Sequence, residues 1–320
     1  MSQLPASRQS RGLQERAASL EDLVQAFLRD QDIKASSKAT YERSLRQFVA
    51  WLEETGRADH LADLQREDLL EYKSSLVDRD LSAYSISLYL TAVRRLFQWL
   101  EAKKVYPNVA KGVKGARKPR GHRKDVLSPE ELRLALEGID RSTLTGLRDY
   151  AILNLLARTG LRTVEVSRAQ IGDIRQEPGL RPGERVLWIQ GKGRDAKDEL
   201  VVLTEDTLAP IEAYLEARGK LRTRPSKPLF ASESDRNYGD ALSTRSISRI
   251  VKRALRRVGL DDARLTAHSM RHTAITLAIL GGATPQQAQA MARHADIKVT
   301  LAYFHNLNRV EAAAERAISF

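Results

Sequence analysis

The residues with the clearest capacity for chemistry lie close to the C-terminus. His268 and Arg271 are three positions apart, so on a helix their side chains would share one face. His294 follows 23 residues after Arg271, and Tyr303 follows nine residues after His294. A tyrosine hydroxyl can act as a nucleophile, and a guanidinium can bind the charged oxygens of a phosphate. In a basic chain this set of residues indicates attack on a phosphodiester.

The charge of the chain supports a polyanionic partner. Its 320 residues carry a formal net charge of +12, and the sequence pI is about 9.9. Nucleic acid is the first candidate, an anionic membrane surface is the second, and a generally solubilising charge is the third. The composition, 42% hydrophobic and 29% charged, is typical of a globular protein, and the length suffices for two domains.

Several classes of site are excluded by composition. The chain has no cysteine, which excludes disulfides, thiolate metal sites and cysteine nucleophiles. No apolar run approaches the roughly 20 residues that a membrane span needs. The first 16 residues are polar and lack the apolar stretch of a signal peptide. These features predict a cytoplasmic protein with no membrane partner.

The elements that must position these residues fall into two regions, and the first is helical. Residues 1–17 are predicted to be disordered, and residues 18–108 to form a helical DNA-binding domain without strands. Apolar periodicity predicts helices from residue 19, over 37–54, over 67–77 and over 82–102. Basic residues fall mostly off the apolar stripes: Lys34, Lys38, Arg43, Arg46, Lys73, Arg94 and Arg95. They could contact phosphates, with Lys38, Arg43 and Arg94 as candidates, or form an ordinary solvated face.

A basic segment separates the two regions. Residues 111–124 contain seven lysines or arginines, three glycines, one proline and no acid. This composition predicts a linker over residues 109–124 that follows a nucleic-acid backbone, with Lys118 and Arg120 as candidate contacts.

The second region, residues 125–308, mixes helices with one predicted β-hairpin. Ser128-Pro129 is a helix start, and further helices are predicted over 146–157, 208–218, 243–258, 269–280 and 285–292. Residues 185–190 and 199–203 are predicted strands, joined through Gly191-Lys192-Gly193. A short helix capped by Asp296 would lead into Tyr303. The fold class expected is therefore mainly α with a small β-hairpin, an α+β arrangement.

Transfer of a phosphodiester to a side chain has four requirements: a nucleophile, charge on the non-bridging oxygens, a base, and an acid for the leaving 5′ oxygen. A tyrosine with a pKa of about 10 must lose its proton as it attacks. Arginine holds its charge and presents a fork that fits two phosphate oxygens, so two arginines and a lysine can serve without a metal. The chain offers Arg162, Lys192, His268, Arg271, His294 and Tyr303 in an order that could converge.

These motifs resemble those of the tyrosine recombinases, the family of phage integrases and Xer-type recombinases. The matching pieces are Thr159-Gly160-Leu161-Arg162 with Glu165, then Gly191-Lys192-Gly193, then His268-Ser269-Met270-Arg271-His272, and finally His294 with Tyr303. The first region is similar to the helical core-binding (SAM-like) domain of the family by length and by the segment 41–45. The resemblance covers about residues 20–310, and its two-domain layout is Xer-like.

The resemblance implies a role for each residue. Tyr303 would attack the scissile phosphate and form a 3′-phosphotyrosyl link. Arg162 and Arg271 would hold the non-bridging oxygens, His268 would act as base and later as acid, Lys192 would protonate the leaving 5′ oxygen, and His294 would hydrogen-bond the phosphate. Glu165 would orient Arg162, and His272 would pack or support the site. No cofactor or metal is implied.

The partners implied are double-stranded DNA with a specific recombination site and a homotetramer that works through a Holliday junction. Which site, and which accessory proteins, the sequence does not specify. The tail, residues 309–320, could fold back on its own domain or dock on a neighbouring protomer.

One position departs from the family pattern. Ala292-Arg293-His294 stands where the family usually has Leu-Gly-His. Arg293 is expected either to reach DNA or to change the backbone at this corner.

Several alternatives stay open at this stage. His268 and His272 could bind a metal, Lys192 could be a polar turn residue, and Tyr303 could be a core tyrosine. Tyr150, Tyr214 and Tyr238 are rival nucleophiles, although Tyr150 and Tyr214 are expected to be packing residues. Other functions consistent with the residues are those of a type IB topoisomerase, a telomere resolvase, or a DNA-binding regulator whose site has decayed.

Overall fold

The computed structural model describes residues 19–58, 63–117, 126–191, 193–219 and 223–311, with backbone alone for 305–311. The chain separates into two compact units, residues 1–122 and 123–320. Lys118, Arg120 and Lys192 lie outside the described residues, as does the segment predicted to be disordered.

The first unit is helical, as the periodicity predicts. Its helices are α1 (Leu20–Asp30), α2 (Ala35–Glu54), α3 (Arg66–Asp78) and α4 (Ala83–Ala102). Helix α1 starts with a capping box: Ser19 Oγ accepts from the amide of Asp22 at 3.1 Å, and the Asp22 carboxylate accepts from the Ser19 amide at 3.3 Å. Both exchanges satisfy amides that a helix start leaves unpaired.

Aromatic rings fill the centre of this unit. Phe48 packs edge-on against Tyr72, with ring centroids 5.0 Å apart, and against Phe97 at 6.2 Å. Ala110 and Val113 are also buried in this core. The chain therefore stays packed on the first unit beyond residue 108, although the sequence predicted a linker from residue 109. The reason is that these two apolar side chains lie within the basic segment and pack into the core.

The second unit begins with helices around a short sheet. Its first elements are α5 (Pro129–Glu137), α6 (Leu144–Thr159), α7 (Thr163–Arg168), β1 (Ile174–Arg175), β2 (Arg185–Ile189), β3 (Glu199–Leu203) and α8 (Glu205–Arg218). Helix α6 is buried nearly all round, which makes it the central helix of the core.

The three strands pair antiparallel in the order β1-β2-β3. The predicted hairpin is present, with Ile189 opposite Glu199, so residues 190–198 connect β2 to β3 and Lys192 belongs to that connection. Strand β1 was not predicted, because two residues carry no detectable alternation and pair only through the fold.

The remaining elements are α9 (Thr244–Arg257), α10 (Ala267–Leu280), α11 (Pro285–Ala292) and α12 (Ile297–Glu311). Helix α10 begins two residues earlier than predicted, since Thr266 caps it by accepting from the His268 amide at 3.2 Å. The helix predicted to lead into Tyr303 is present, with Asp296 Oδ1 accepting from the Lys298 amide at 2.9 Å. It is longer than predicted: α12 runs on to Glu311, and no glycine or proline interrupts residues 297–311. Residues 312–320 of the tail lie outside the described residues.

Within the described ranges, no helix has both the length and the apolar character needed to cross a bilayer.

Candidate active site

The site is assembled where α6 ends. Gly160 terminates α6 in the left-handed conformation, with φ of 61°, which glycine adopts without strain. A Cβ here would meet Ala274 and Met291 only at ordinary contact distances, so the backbone conformation rather than lack of space is what favours glycine. The turn brings the chain to Arg162, the N-cap residue of α7.

Arg162 is held by Glu165, as predicted. Its amide donates to Glu165 Oε2 at 2.7 Å, and its Nη1 donates to Oε1 at 2.8 Å. The Glu165 side chain is completely buried, whereas Arg162 keeps 29% of its side chain exposed. A buried carboxylate is costly unless it is paired. Glu165 therefore fixes the backbone and the guanidinium of Arg162 while leaving that guanidinium accessible.

Arg293 also binds Glu165, and this corrects one prediction. Its Nη2 donates to Glu165 Oε2 at 2.9 Å, and only 5% of its side chain is exposed. The guanidinium therefore points into the domain rather than toward DNA. The backbone at Arg293 is left-handed, with φ of 53°, which accounts for the glycine that the family usually has at this corner.

Arg271 is buried and ties two corners of the site together. Its Nη1 donates to the carbonyl of Gly160 at 2.6 Å, and its Nη2 donates to the carbonyl of Ala292. Burial lowers the pKa of Arg271 to about 10, and the positive charges of Arg162 and Arg293 act in the same direction. The group stays protonated at neutral pH, so the pocket is cationic.

His294 and Tyr303 lie on the other side of this pocket. His294 Nδ1 is 2.9 Å from Thr300 Oγ1 on α12. The imidazole stacks on the Tyr303 ring with centroids 6.3 Å apart. The contact of Nδ1 with Thr300 fixes the orientation of the imidazole ring.

Tyr303 is 5% exposed, and its hydroxyl is 2.5 Å from His272 Nδ1. Burial raises the pKa of Tyr303 to about 12, although the charge of Arg271 opposes that shift. The hydroxyl is therefore protonated at neutral pH, and a nearby base must take its proton before or during attack.

The two histidines of α10 lie side by side, with His272 next to Tyr303 and His268 exposed to solvent. His268 is exposed, and its ring meets that of His272 edge-on, with centroids 4.4 Å apart. The sequence assigned the contact with the tyrosine to His268, with a supporting role for His272. The structure brings His272 onto the hydroxyl. The spacing of four residues was the available signal, since it places both rings on one helix face.

The three predicted DNA contacts of the first unit differ in their exposure and in their hydrogen bonds. Arg43 is exposed on α2, and Lys38 is half-buried, with Nζ 3.4 Å from the carbonyl of Arg29. Arg94 donates to the carbonyls of Leu90 at 3.2 Å and Val113 at 3.3 Å, so it helps hold the segment after α4.

Tyr214 is a packing residue, as predicted: it is fully buried, and its hydroxyl accepts from the Ala231 amide at 3.3 Å. Tyr150 is half-buried, and the Arg141 guanidinium lies 4.7 Å from its ring centroid. Across the part of the chain that the structure describes, no three His, Asp or Glu side chains gather as a metal site would require.

Comparison with protein families gives two matches. Residues 125–309 match the phage integrase family, and residues 20–104 match the phage integrase N-terminal SAM-like domain. Two relatives cover nearly all of the chain. A tyrosine recombinase of Synechococcus elongatus is 30% identical over 88% of this chain and 88% of its own. The tyrosine recombinase XerD of Listeria monocytogenes is 27% identical over 89% of this chain and 93% of its own.

A solved structure shares the fold. It is a lambda integrase tetramer bound to a Holliday junction, with a TM-score of 0.65, 16% identity, and coverage of 89% of this chain and 77% of that chain. The family matches and the relatives agree with the resemblance seen in the sequence. The structure agrees as well, because it groups four of the predicted side chains: Arg162, Arg271, His294 and Tyr303. The chain belongs to the phage integrase family of tyrosine recombinases, which makes it a site-specific DNA recombinase.

Proposed function

We propose that Tyr303 is the nucleophile that cleaves DNA. Its oxygen attacks the scissile phosphorus, the P–O5′ bond breaks, and the products are a 3′-phosphotyrosyl link and a free 5′ hydroxyl. Rejoining is the reverse reaction with a different 5′ hydroxyl. The observation that carries this proposal is the position of the Tyr303 hydroxyl: it lies in a pocket with two histidines and under the field of the buried Arg271.

Arg162 and Arg271 bind the non-bridging oxygens of the phosphate. A guanidinium carries five N–H groups. Two backbone carbonyls take two donors of Arg271, which leaves donors for a phosphate and fixes the plane of the fork. Arg162 keeps an accessible edge while Glu165 holds the other. Fixed donors of this kind stabilise a developing oxyanion without reorganisation during the reaction.

The imidazole pair on α10 takes the proton of the nucleophile. His272 Nδ1 contacts the Tyr303 hydroxyl, and His268 lies on the outer side of His272, where it meets solvent. His272 Nδ1 takes the proton as the tyrosine oxygen attacks and returns it when the strand is rejoined, whereas the role of His268 as base rests on the family resemblance. His294 hydrogen-bonds the phosphate, a role that also rests on the family resemblance. Lys192 protonates the leaving 5′ oxygen, a role that rests on the family resemblance of its motif.

The working assembly is a homotetramer on two duplexes, and it operates where the cell keeps its DNA, in the cytoplasm. Exchange between two duplexes needs four strand cleavages, and each chain offers one such tyrosine. Four chains therefore suffice, passing through a Holliday junction, and the lambda integrase tetramer bound to such a junction supports this arrangement. The tail, residues 309–320, is the candidate segment for contact between protomers.

The test begins with a DNA site selected from genomic fragments that the protein binds. A nicked suicide duplex of that site is incubated with wild-type protein and with Tyr303→Phe, and the digested product is searched for a phosphotyrosyl peptide. The expected result is an adduct on Tyr303 in the wild type, no adduct in the variant, and equal DNA binding by both.

Each other outcome points elsewhere. An adduct on a different tyrosine would overturn the assignment of the nucleophile. Tight binding without an adduct would favour a DNA-binding regulator. Relaxation of a supercoiled plasmid that lacks the selected site would favour a topoisomerase.

A further inference from the structure

Arg293 occupies an uncommon position for a charged residue. Its backbone is left-handed with φ of 53°, a conformation that residues other than glycine rarely adopt. Its side chain is 5% exposed, and Nη1 donates to the carbonyl of Met291 at 2.7 Å. Burial lowers the pKa of this guanidinium, and the charge of Glu165 opposes that shift. A conformation with these costs persists only when its contacts fix it.

The contact that matters is the shared carboxylate. Glu165 Oε1 accepts from Arg162 Nη1 at 2.8 Å, while Oε2 accepts from the Arg162 amide at 2.7 Å and from Arg293 Nη2 at 2.9 Å. One buried negative charge is thus divided between two guanidiniums. Because both guanidiniums share this carboxylate, neither positive charge is fully neutralised by it.

We infer that Arg293 is a positioning residue for DNA cleavage. It donates one of the three hydrogen bonds that the Glu165 carboxylate accepts, so that carboxylate orients Arg162 without fully neutralising its positive charge. Arg162 can then bind the scissile phosphate. This inference rests on the proposed roles of Tyr303 and Arg162. Without Arg293, Glu165 would pair with Arg162 alone, and the charge that Arg162 offers the phosphate would fall.

The experiment measures the single-turnover rate of the covalent adduct on the suicide duplex, with protein in excess. The variants are Arg293→Met, which keeps the apolar stem and loses the charge, and Arg293→Gly, which also removes the backbone strain. Both are expected to slow adduct formation roughly 10- to 100-fold, the loss typical of a charge-assisted hydrogen bond, with DNA affinity within about threefold of the wild type. If Arg293→Gly reacts at the wild-type rate while folded, the inference is overturned.

A double-mutant cycle separates positioning from a merely structural role. In a Glu165→Gln background the carboxylate charge is gone, so Arg293→Met should change the adduct rate by less than about twofold. An equal slowing in both backgrounds would mean that Arg293 acts without Glu165 and would contradict the inference. Thermal melting of each variant confirms that the compared proteins are folded.

A second route is available to Arg293 and must be distinguished. Its Nε lies 3.6 Å from Glu199 Oε2, and Glu199 begins β3 directly after the connection that contains Lys192. A substrate with sulfur in place of the 5′ bridging oxygen leaves as a thiolate and needs no acid. The Arg293 variants should remain slow on this substrate. Recovery to the wild-type rate would assign Arg293 to the leaving-group acid and overturn the link to Arg162.

The baseline of the same experiment keeps the two proposals apart. If the wild type forms no adduct on Tyr303, the proposed function fails before any Arg293 variant is compared. If the wild type reacts and the variants do not differ from it, only the inference about Arg293 fails.

Discussion

The cores of the two units differ in composition. Among the described residues of the first unit, the buried set is apolar and aromatic apart from Ser44. The second unit buries charged side chains as well: Arg148, Asp149, Glu165, Asp173, Arg218 and Arg271. Burying a charge costs several kcal/mol unless partners satisfy it, so the second core gives up stability that the first retains. The second unit is therefore the one whose buried charges can act strongly on a bound phosphate, because charges away from water are screened less.

The strongest test of this comparison uses two buried arginines of the same unit. Arg271 donates to the Gly160 carbonyl at 2.6 Å, and Arg218 donates to the Pro228 carbonyl at 2.8 Å. Replacing either by methionine should cost about 1–3 kcal/mol of stability for the carbonyls left unpaired. Only Arg271→Met should slow adduct formation, by about 10²- to 10³-fold, because it also removes a proposed phosphate ligand. Equal slowing by Arg218→Met, measured on folded protein in single-turnover assays, would contradict this.

The aromatic core gives the next largest effect. Phe48 is fully buried among aromatic rings, so Phe48→Ala should destabilise the first unit by about 3–5 kcal/mol. Thermal unfolding followed by circular dichroism should show an early transition, and DNA affinity should fall with the folded fraction. Val77, which is 52% exposed on α3, is the control, and Val77→Ala should leave both measurements nearly unchanged. A control that melts as early as Phe48→Ala would remove the distinction.

The buried hydroxyl of Tyr303 gives the second unit a dependence of stability on alkaline pH. Burial raises the pKa of Tyr303 from 10.0 to about 12. The neutral hydroxyl therefore stabilises the fold fully below pH 10, and that contribution, about 2–3 kcal/mol, is lost as pH rises toward 12. The ultraviolet difference between wild type and Tyr303→Phe should show phenolate forming near pH 12. A midpoint near pH 10 would mean that the hydroxyl is open to solvent.

The smallest expected effects concern basic residues of the first unit. Arg43 is exposed, so Arg43→Ala should leave the melting temperature unchanged and reduce the salt dependence of DNA binding by about one counterion. Arg94 bonds its own helix and the Val113 carbonyl, so Arg94→Ala should cost about 1 kcal/mol of stability. Binding measured across salt concentrations, beside thermal melts, checks both. Reversed results for the two variants would show that Arg94 is the phosphate ligand.

The sequence predicted most of what local rules govern. Helix starts at Ser19, Ser128 and Thr284 follow from capping chemistry, and each is present. The hairpin followed from alternation and the glycines after β2. The order of the motifs, matched as a whole to a family, predicted that Arg271 lies near Arg162 and Tyr303, and the structure brings these three together. Lys192 lies outside the described residues, so its place among them stays a prediction.

What could not be predicted depends on contacts between distant positions. His272 meets Tyr303 across 31 positions, and Arg293 meets Glu165 across 128. Neither pairing has a period that a sequence window can detect. The inward direction of the Arg293 side chain also depends on a left-handed backbone. Arginine rarely adopts that conformation, so the sequence offered no reason to expect it, and exposure at the surface was the natural prediction.

Helix α12 has a mechanical consequence. Tyr303 stands in its first half, and the same uninterrupted helix continues eight residues farther, to Glu311. At 1.5 Å per residue, its far end lies about 12 Å along the axis from the nucleophile. A continuous hydrogen-bonded helix moves as one body. Tilt or rotation at the Glu311 end would therefore also displace Tyr303. In this way a contact made at the Glu311 end of α12 would reach the position of Tyr303 through the helix itself.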